Sequence, residues 1–139
     1  MRRLIGSAFA ALALVTAGGT SAATNHATSA IRATASCRGA VSWQNARSYV
    51  GRYATIKGWV AGTKYAAASN GSPTFLNLGA DYPSSRRVTV VIWFENRARF
   101  GAPERRYKGH TICVRGFVDT YGGVPEIEAT SPSQIAVAG

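Results

Sequence analysis

Acidic residues, histidine and cysteine are scarce in this sequence. Its 139 residues include 6 Asp and Glu, 2 His and 2 Cys, against 16 Lys and Arg. A structural zinc site needs four side-chain ligands, and so few cysteines and histidines argue against one. No nucleophile motif such as G-x-S-x-G accompanies the histidines. We therefore expect no catalytic centre, no metal ion and no cofactor, and we predict that the protein is not an enzyme.

A long apolar run is also missing. The run from Leu4 to Ala17 is shorter than the roughly 20 residues that a helix needs to cross a bilayer. Arg2 and Arg3 precede it and small residues follow it, which completes the three-part pattern of a secretory signal peptide. We predict cleavage after Ala22 or Ala23, and a secreted, extracellular protein with no membrane span in the mature chain.

The chain that remains after residues 1–23 is long enough for one domain. Residues 24–36 are rich in Ala, Thr and Ser, and we interpret them as a flexible lead-in. Residues 37–139 form the predicted domain, which contains both cysteines, Cys37 and Cys113. The even count and the oxidising compartment predict a disulfide between them, with two free thiols as the alternative. A bridge across so long a loop contributes about 4 kcal/mol in the chain-entropy model.

The charge balance is strongly positive. Without residues 1–23, 14 basic and 6 acidic residues remain, a net charge of +8. Such a balance favours polyanionic partners, which include nucleic acid, anionic lipid head groups and acidic wall polymers. Solubility alone is the alternative explanation.

Alternation of apolar and polar residues predicts an all-β domain. Asn70-Gly71 and Gly122-Gly123 are turn signals between predicted strands. Apolar spacing from Trp43 to Val50 predicts a short helix before the first strand. The charged stretch Glu95–Lys108 is predicted to be irregular, with room for a short helix at its start. The predicted strands are Tyr53–Tyr65, Thr74–Leu78, Val88–Phe94, Ile112–Thr120 and Val124–Ala129.

A short internal repeat supports this assignment. Tyr49-x-Gly51 followed by Lys57-Gly58-Trp59-Val60 is matched by Tyr107-x-Gly109 followed by Arg115-Gly116-Phe117-Val118. Each copy would open a hairpin with a bent strand that carries a basic and an aromatic residue outside the core. Similar first and fourth strands suit a five-stranded closed barrel.

Three segments resemble the first three strands of an OB domain, most closely the anticodon-binding OB domains of aminoacyl-tRNA synthetases. They are Ala54–Val60, Phe75–Leu78 and Val88–Ile92. The segment from Gly116 to Ile127 is similar to small exported bacterial OB-domain proteins. The resemblance implies a five-stranded Greek-key OB barrel with ligand bound across the second and third strands. It also implies that Phe75 stacks on a base and that Thr89 takes the place of a polar base-contacting residue.

The residues themselves indicate the same kind of surface. Strand parity places basic, polar and aromatic side chains outside the inferred core, as a site for single-stranded nucleic acid requires. The alternative for the tryptophans is burial under the Trp43 segment or under the Glu95–Lys108 stretch. The predicted nucleic-acid-binding residues are Lys57, Trp59, Lys64, Phe75, Asn77, Arg86, Arg87, Thr89, Trp93, Arg115 and Tyr121.

These patterns favour a secreted binding module for single-stranded DNA or RNA. One alternative is an extracellular protein- or glycan-interaction module, because OB barrels also bind such partners. A degenerate nuclease-like OB domain is a second alternative. The sequence does not contain the clustered acids with which the secreted thermonuclease-type enzymes bind Ca²⁺, although Glu126 and Glu128 share one face of a predicted strand.

Overall fold

The computed structural model describes residues 35–138. The predicted signal peptide and nearly all of the predicted lead-in lie outside the described residues. Within the described range, no helix has the length and apolar character needed to cross a membrane.

The described structure is mostly β. Two short helices, α1 (Phe94–Phe100) and α2 (Pro103–Arg106), lie between the fourth and fifth strands, and 3-10 helices span Trp43–Tyr49 and Pro132–Gln134. The predicted short helix at Trp43 is therefore a 3-10 helix. The strands are β1 (Val41–Ser42), β2 (Tyr53–Tyr65), β3 (Thr74–Leu78), β4 (Val88–Ile92), β5 (Thr111–Tyr121), β6 (Val124–Glu128) and β7 (Ile135–Val137).

Five of these strands pair in a ring. β2 pairs with β3, β3 with β4, β4 with β6, β6 with β5, and β5 returns to β2. Only the β4–β6 pairing is parallel, and the others are antiparallel. β1 and β7 add to β2 and β5 respectively, which makes seven strands in one sheet. They were not predicted, because two or three residues are too few to show alternation.

The length of β2 lets the ring close. Its first half, Tyr53–Trp59, pairs with β5, and its second half, from Val60 to Tyr65, pairs with β3. The register shifts between Val60 and Gly62, and such irregularities bend a strand. Alternate residues of the ring strands point into one apolar core. Its members that are 1% exposed or less include Ile56, Val60, Leu76, Leu78, Val90, Ile92, Val114, Val118 and Ile127.

Trp43 packs against this core from the 3-10 helix. Its indole lies directly against Gly79, where any side chain would overlap the ring, and it also contacts Gly58. Gly79 has φ +78°, a backbone conformation that favours glycine. Gly58, which belongs to the strand predicted to bend, is thus a point of close approach to Trp43, while the register irregularity of β2 lies between Val60 and Gly62.

The stretch from Glu95 to Lys108 is more ordered than predicted. Arg97 of α1 donates hydrogen bonds to Thr74 Oγ1 (2.8 Å) and to both carboxylate oxygens of Glu104, and it lies 3.8 Å from the centre of the Tyr65 ring. The hydrogen bonds from Arg97 lower the pKa of Glu104, and its partial desolvation opposes this shift only in part. α1 and α2 are thereby fixed to each other and to the sheet.

The amino-terminal segment 35–41, which we call the strap, crosses the outer face of β5. The Ala35 N–H donates to Ser133 O (2.7 Å), Cys37 is bonded to Cys113, and Val41 pairs with Ile56 of β2. The predicted disulfide is therefore present. Cys113 is fully buried, although it lies on the outer face of the ring in register with the exposed Lys57. The strap therefore covers that part of the sheet.

Candidate ligand groove

A concave groove of about 380 Å³ lies on the outer face of β3 and β4. The β2–β3 loop borders it on one side, the β5–β6 hairpin on another, and the β3–β4 loop contributes Asp81 and Tyr82. We call this surface the groove. Its lining residues are Thr63, Lys64, Ala66, Ser69, Phe75, Asn77, Asp81, Tyr82, Arg87, Thr89, Tyr121, Val124 and Glu126.

The strand register explains why distant residues meet there. Lys64 of β2 lies beside Phe75 of β3, and Asn77 lies beside Thr89 of β4. Thr89 in turn pairs with Glu126 of β6. Some of the predicted binding residues therefore line the groove, namely Lys64, Phe75, Asn77, Arg87, Thr89 and Tyr121.

Polar side chains at the bottom of the groove form a continuous hydrogen-bonded network. Asn77 donates from Nδ2 to Asp81 Oδ1 (2.9 Å) and accepts at Oδ1 from Thr89 Oγ1 (3.2 Å). Arg87 Nε donates to Thr89 Oγ1 (3.1 Å), and Arg87 Nη1 donates to Ser84 O (2.6 Å). Asn77 is 4% exposed and Thr89 5% exposed. We call these four residues, Asp81, Asn77, Thr89 and Arg87, the polar network.

Glycine makes room for one end of this network. The carboxylate of Asp81 lies directly over Gly62, where any side chain would overlap it. The same carboxylate accepts a hydrogen bond from the Tyr82 N–H (2.7 Å), which fixes the start of the β3–β4 loop. Gly62 therefore positions the loop that carries Tyr82 along the groove.

Aromatic side chains line the groove above the polar network. Tyr82 is 73% exposed and Tyr121 is 78% exposed, from the β3–β4 loop and the β5–β6 hairpin respectively. Phe75 on β3 is half-buried and lines the same groove. The Arg87 guanidinium lies 5.2 Å from the centre of the Tyr82 ring. Three rings and two cations, Lys64 and Arg87, thus line one concavity.

The other predicted residues lie elsewhere. Lys57, Trp59 and Arg115 are exposed on the outer face of the β2–β5 pair, and Trp59 is 53% exposed. Arg86 is exposed in the β3–β4 loop, next to Arg87 but not in the groove lining. Trp93 is half-buried with its ring against Gly71, so it packs on the β2–β3 turn. The single surface that strand parity predicted is divided between these places.

A second concavity of about 340 Å³ shares Glu126 with the groove and is lined by three carboxylates. Asp119 and Glu126 are paired across β5 and β6, and Glu128 lies two residues further along β6. Burial raises the pKa of Glu126, and the nearby carboxylates Asp119 and Glu128 raise it further. Tyr53 and Phe117 form an edge-to-face pair at its other side, with ring centres 5.6 Å apart. We call this surface the acidic groove.

Sequence reasoning missed the roles of Asp81, Tyr82 and Glu126. The stretch Gly79–Ser85 between predicted strands was a visible signal that the β3–β4 loop could contribute to a site. Glu126 reaches the groove through the parallel β4–β6 pairing, which no local pattern reveals. Among residues 35–138, no three His, Cys, Asp or Glu side chains are grouped so that they could hold a metal ion.

Comparisons with known proteins give weak similarities. No family model and no curated protein matches the chain. Similar solved structures include the OBody AM1L10 bound to hen egg-white lysozyme, at 18% identity and a TM-score of 0.45, covering 66% of this chain and 84% of that one. The asparaginyl-tRNA synthetase of Entamoeba histolytica is 16% identical with a TM-score of 0.46, covering 72% of this chain but 23% of the synthetase.

A third similar structure is the hypothetical protein ygiW of E. coli, at 14% identity and a TM-score of 0.38, covering 71% of this chain and 89% of that one. The chain spans less than a quarter of the synthetase that it matches. Similarity at this level does not establish a relationship with any of these proteins.

Proposed function

We propose that the ring of β2, β3, β4, β6 and β5 is a five-stranded Greek-key OB barrel whose groove binds single-stranded nucleic acid. In OB barrels the second and third strands bind oligonucleotides, together with the first–second and fourth–fifth loops. In this ring those elements are β3, β4, the β2–β3 loop and the β5–β6 hairpin. The groove lies between the same four elements.

The observation that carries the proposal is the group of three rings in the groove. Tyr82 and Tyr121 are largely exposed although both are large aromatic residues, and Phe75 lines the same groove. Stacking of a base on an aromatic side chain is worth about 1–3 kcal/mol. Lys64 is paired with Phe75 across β2 and β3, and the Arg87 guanidinium lies 5.2 Å from the centre of the Tyr82 ring, so both cations are available to the phosphates of a stacked strand.

The charges of the groove indicate how much salt should matter. Lys64 and Arg87 are opposed by Asp81 and Glu126, so the groove is close to neutral, and Arg86 adds an exposed cation at its border. Three phosphate contacts predict a slope of about −2 for log K against log salt, since each contact to a single strand contributes roughly −0.7. Stacking is therefore expected to contribute more than counterion release.

The test is a fluorescence-anisotropy titration of a labelled single-stranded oligonucleotide with the oxidised protein. A label on the oligonucleotide is preferable to tryptophan fluorescence, because Trp59 and Trp93 lie outside the groove lining. We expect saturable binding that Phe75→Ala weakens and that Tyr53→Ala, which removes an exposed ring outside the groove, leaves unchanged. Equal affinity for the wild type and Phe75→Ala would contradict the proposal.

The second candidate function is a protein- or glycan-interaction module. The acidic groove favours it, because an exposed aromatic pair beside three carboxylates suits a neutral or cationic partner better than a phosphate backbone. Binding to a protein or a neutral glycan that survives high salt, without binding to oligonucleotides, would support this candidate.

We also propose that the protein is exported and is not an enzyme. The disulfide between Cys37 and Cys113 supports export, since such bonds persist in oxidising compartments. The intact mass of the natural protein tests this. Export predicts a chain without residues 1–22 or 1–23, with the two cysteines oxidised.

A further inference from the structure

We infer that the groove binds single-stranded nucleic acid with little selectivity among the bases. The inference rests on the proposed function and adds which part of the ligand is recognised. Selective reading of a base needs free donors and acceptors at the base edge, whereas stacking needs only a planar ring.

The two buried members of the polar network, Asn77 and Thr89, offer little for a base edge to bind. Asn77 uses Nδ2 on Asp81 and Oδ1 on Thr89, and Thr89 Oγ1 also accepts from Arg87. Asn77 and Thr89 are at least 95% buried, so a base could reach them only by disrupting these hydrogen bonds. Breaking a satisfied network leaves buried polar groups unpaired, and this cost opposes direct readout.

The two most exposed large apolar side chains of the groove carry rings, which stack on any base. Tyr82 and Tyr121 present their rings, and Phe75 lines the same groove. Arg87 is held by Thr89 and by Ser84 O, with its guanidinium beside Tyr82, so it is positioned for a phosphate rather than for a base. Recognition therefore combines ring stacking with backbone contacts.

The test measures the affinities of three labelled homopolymers of equal length, oligo-dT, oligo-dC and oligo-dA, for the oxidised protein. We expect their dissociation constants to agree within about fivefold, because stacking gives only modest preferences. Tyr82→Ala and Tyr121→Ala should each weaken all three by a similar factor of roughly 5 to 150. Tyr53→Ala is the matched control, since Tyr53 is as exposed as Tyr82 but lies outside the groove.

Thr89→Val separates stacking from base readout. It removes the hydroxyl of the polar network while keeping the shape of the side chain, so it releases Arg87 Nε and should weaken the three affinities by a similar factor. A preference for one homopolymer greater than about 20-fold that Thr89→Val abolishes would overturn the inference while leaving the proposed function intact. Failure of all three homopolymers to bind a protein with a normal unfolding transition would overturn both.

Discussion

Arg97 of α1 and Glu104 of α2 form a two-point ion pair, with Nη1–Oε2 at 2.7 Å and Nη2–Oε1 at 2.8 Å. Their side chains are 16% and 22% exposed, so the pair is more shielded from water than a typical surface ion pair. Arg97 also donates to Thr74 Oγ1 and lies over the Tyr65 ring, which connects the helical segment to β2 and β3. Arg97 therefore attaches to the sheet the segment that the sequence predicted to be irregular, in addition to Phe100 and Tyr107, which are buried in the core.

The pH dependence of stability should reflect this pair. Because Arg97 lowers the pKa of Glu104, the stabilisation is fully present above the unfolded-state pKa of a glutamate. It should be lost as the pH falls through the lower folded-state pKa. Glu104→Gln is expected to cost about 2 kcal/mol of unfolding free energy at neutral pH and much less in acid.

Urea unfolding at a series of pH values from 7 to 3 checks this, with Glu95→Gln as the control. Glu95 is an exposed glutamate at the start of α1 and has no ion-pair partner within the described residues. If the difference in unfolding free energy between wild type and Glu104→Gln were as large at pH 3 as at pH 7, the ion pair would not be its source.

Gly79 should tolerate no side chain. Gly79→Ala introduces a Cβ that overlaps the Trp43 indole and also strains a backbone at φ +78°. Gly101→Ala meets a similar φ of +75° with no atom within 4 Å, so it isolates the backbone strain. We expect a loss of about 1 kcal/mol for Gly101→Ala and about 2–4 kcal/mol for Gly79→Ala.

Thermal unfolding of the two glycine variants provides the measurement. Adding Trp43→Leu to Gly79→Ala should recover part of the stability that Gly79→Ala loses beyond Gly101→Ala, because leucine is smaller than the indole that the new Cβ overlaps. Equal losses in the two single variants would show that Trp43 does not restrict Gly79.

The disulfide should be a major source of stability. It closes a loop between residues 76 apart in sequence, for which the chain-entropy model gives about 4–5 kcal/mol. Reduction, or the double substitution of Cys37 and Cys113 by alanine, should lower the midpoint of urea unfolding accordingly. The Ala35 amide, which donates to Ser133 O, should exchange faster in the reduced protein because the strap loses its central attachment. An unchanged midpoint would contradict this account.

Glu126 should oppose both folding and nucleic-acid binding when it is ionised. Its pKa is raised, chiefly by burial, so the folded state binds a proton more tightly than the unfolded state does. Its contribution to stability therefore falls as the pH rises from the ordinary glutamate range through the raised value. Glu126→Gln is expected to increase the stability at pH 7 by about 0.5–1 kcal/mol and to increase oligonucleotide affinity several-fold.

Titrations of wild type and Glu126→Gln at pH 5 and pH 7 test this prediction. The wild type should bind more tightly at the lower pH, and the variant should lose most of that dependence. Glu95→Gln again serves as the control, because Glu95 is not part of the groove. Weaker binding by Glu126→Gln would indicate that the carboxylate contacts the ligand favourably.

Much of the fold could be predicted from the sequence because alternation with period two is a local signal. The bounds of β2 and β3 agree with the prediction. Alternation along β2 also correctly assigned Ile56 and Val60 to the buried face, and Lys57 and Trp59 to the exposed face. β4 ends two residues before its predicted end, because α1 begins at Phe94. This early end turns Trp93 away from the strand face and onto the β2–β3 turn.

The candidate site could be predicted only in part. Residues on β3, such as Phe75 and Asn77, could be placed on the outer face because a strand assignment fixes their face, whereas Thr89 was selected from the resemblance to anticodon-binding OB domains. Other parts of the site depend on contacts between residues that are distant in the sequence. The Asp81 carboxylate lies over Gly62, and Glu126 pairs with Thr89. Such contacts depend on the ring closure itself, which local periodicity does not specify.

The most direct test of the central claim is a map of where a single-stranded oligonucleotide contacts the folded protein. Amide chemical shifts of the isotope-labelled, oxidised protein can be followed during a titration with an unlabelled oligonucleotide. We predict that the largest changes fall on Phe75, Asn77, Tyr82, Thr89 and Tyr121, with little change at Thr55 and Lys57. Changes concentrated on the β2–β5 face around Trp59, or no changes at saturating oligonucleotide, would contradict the account.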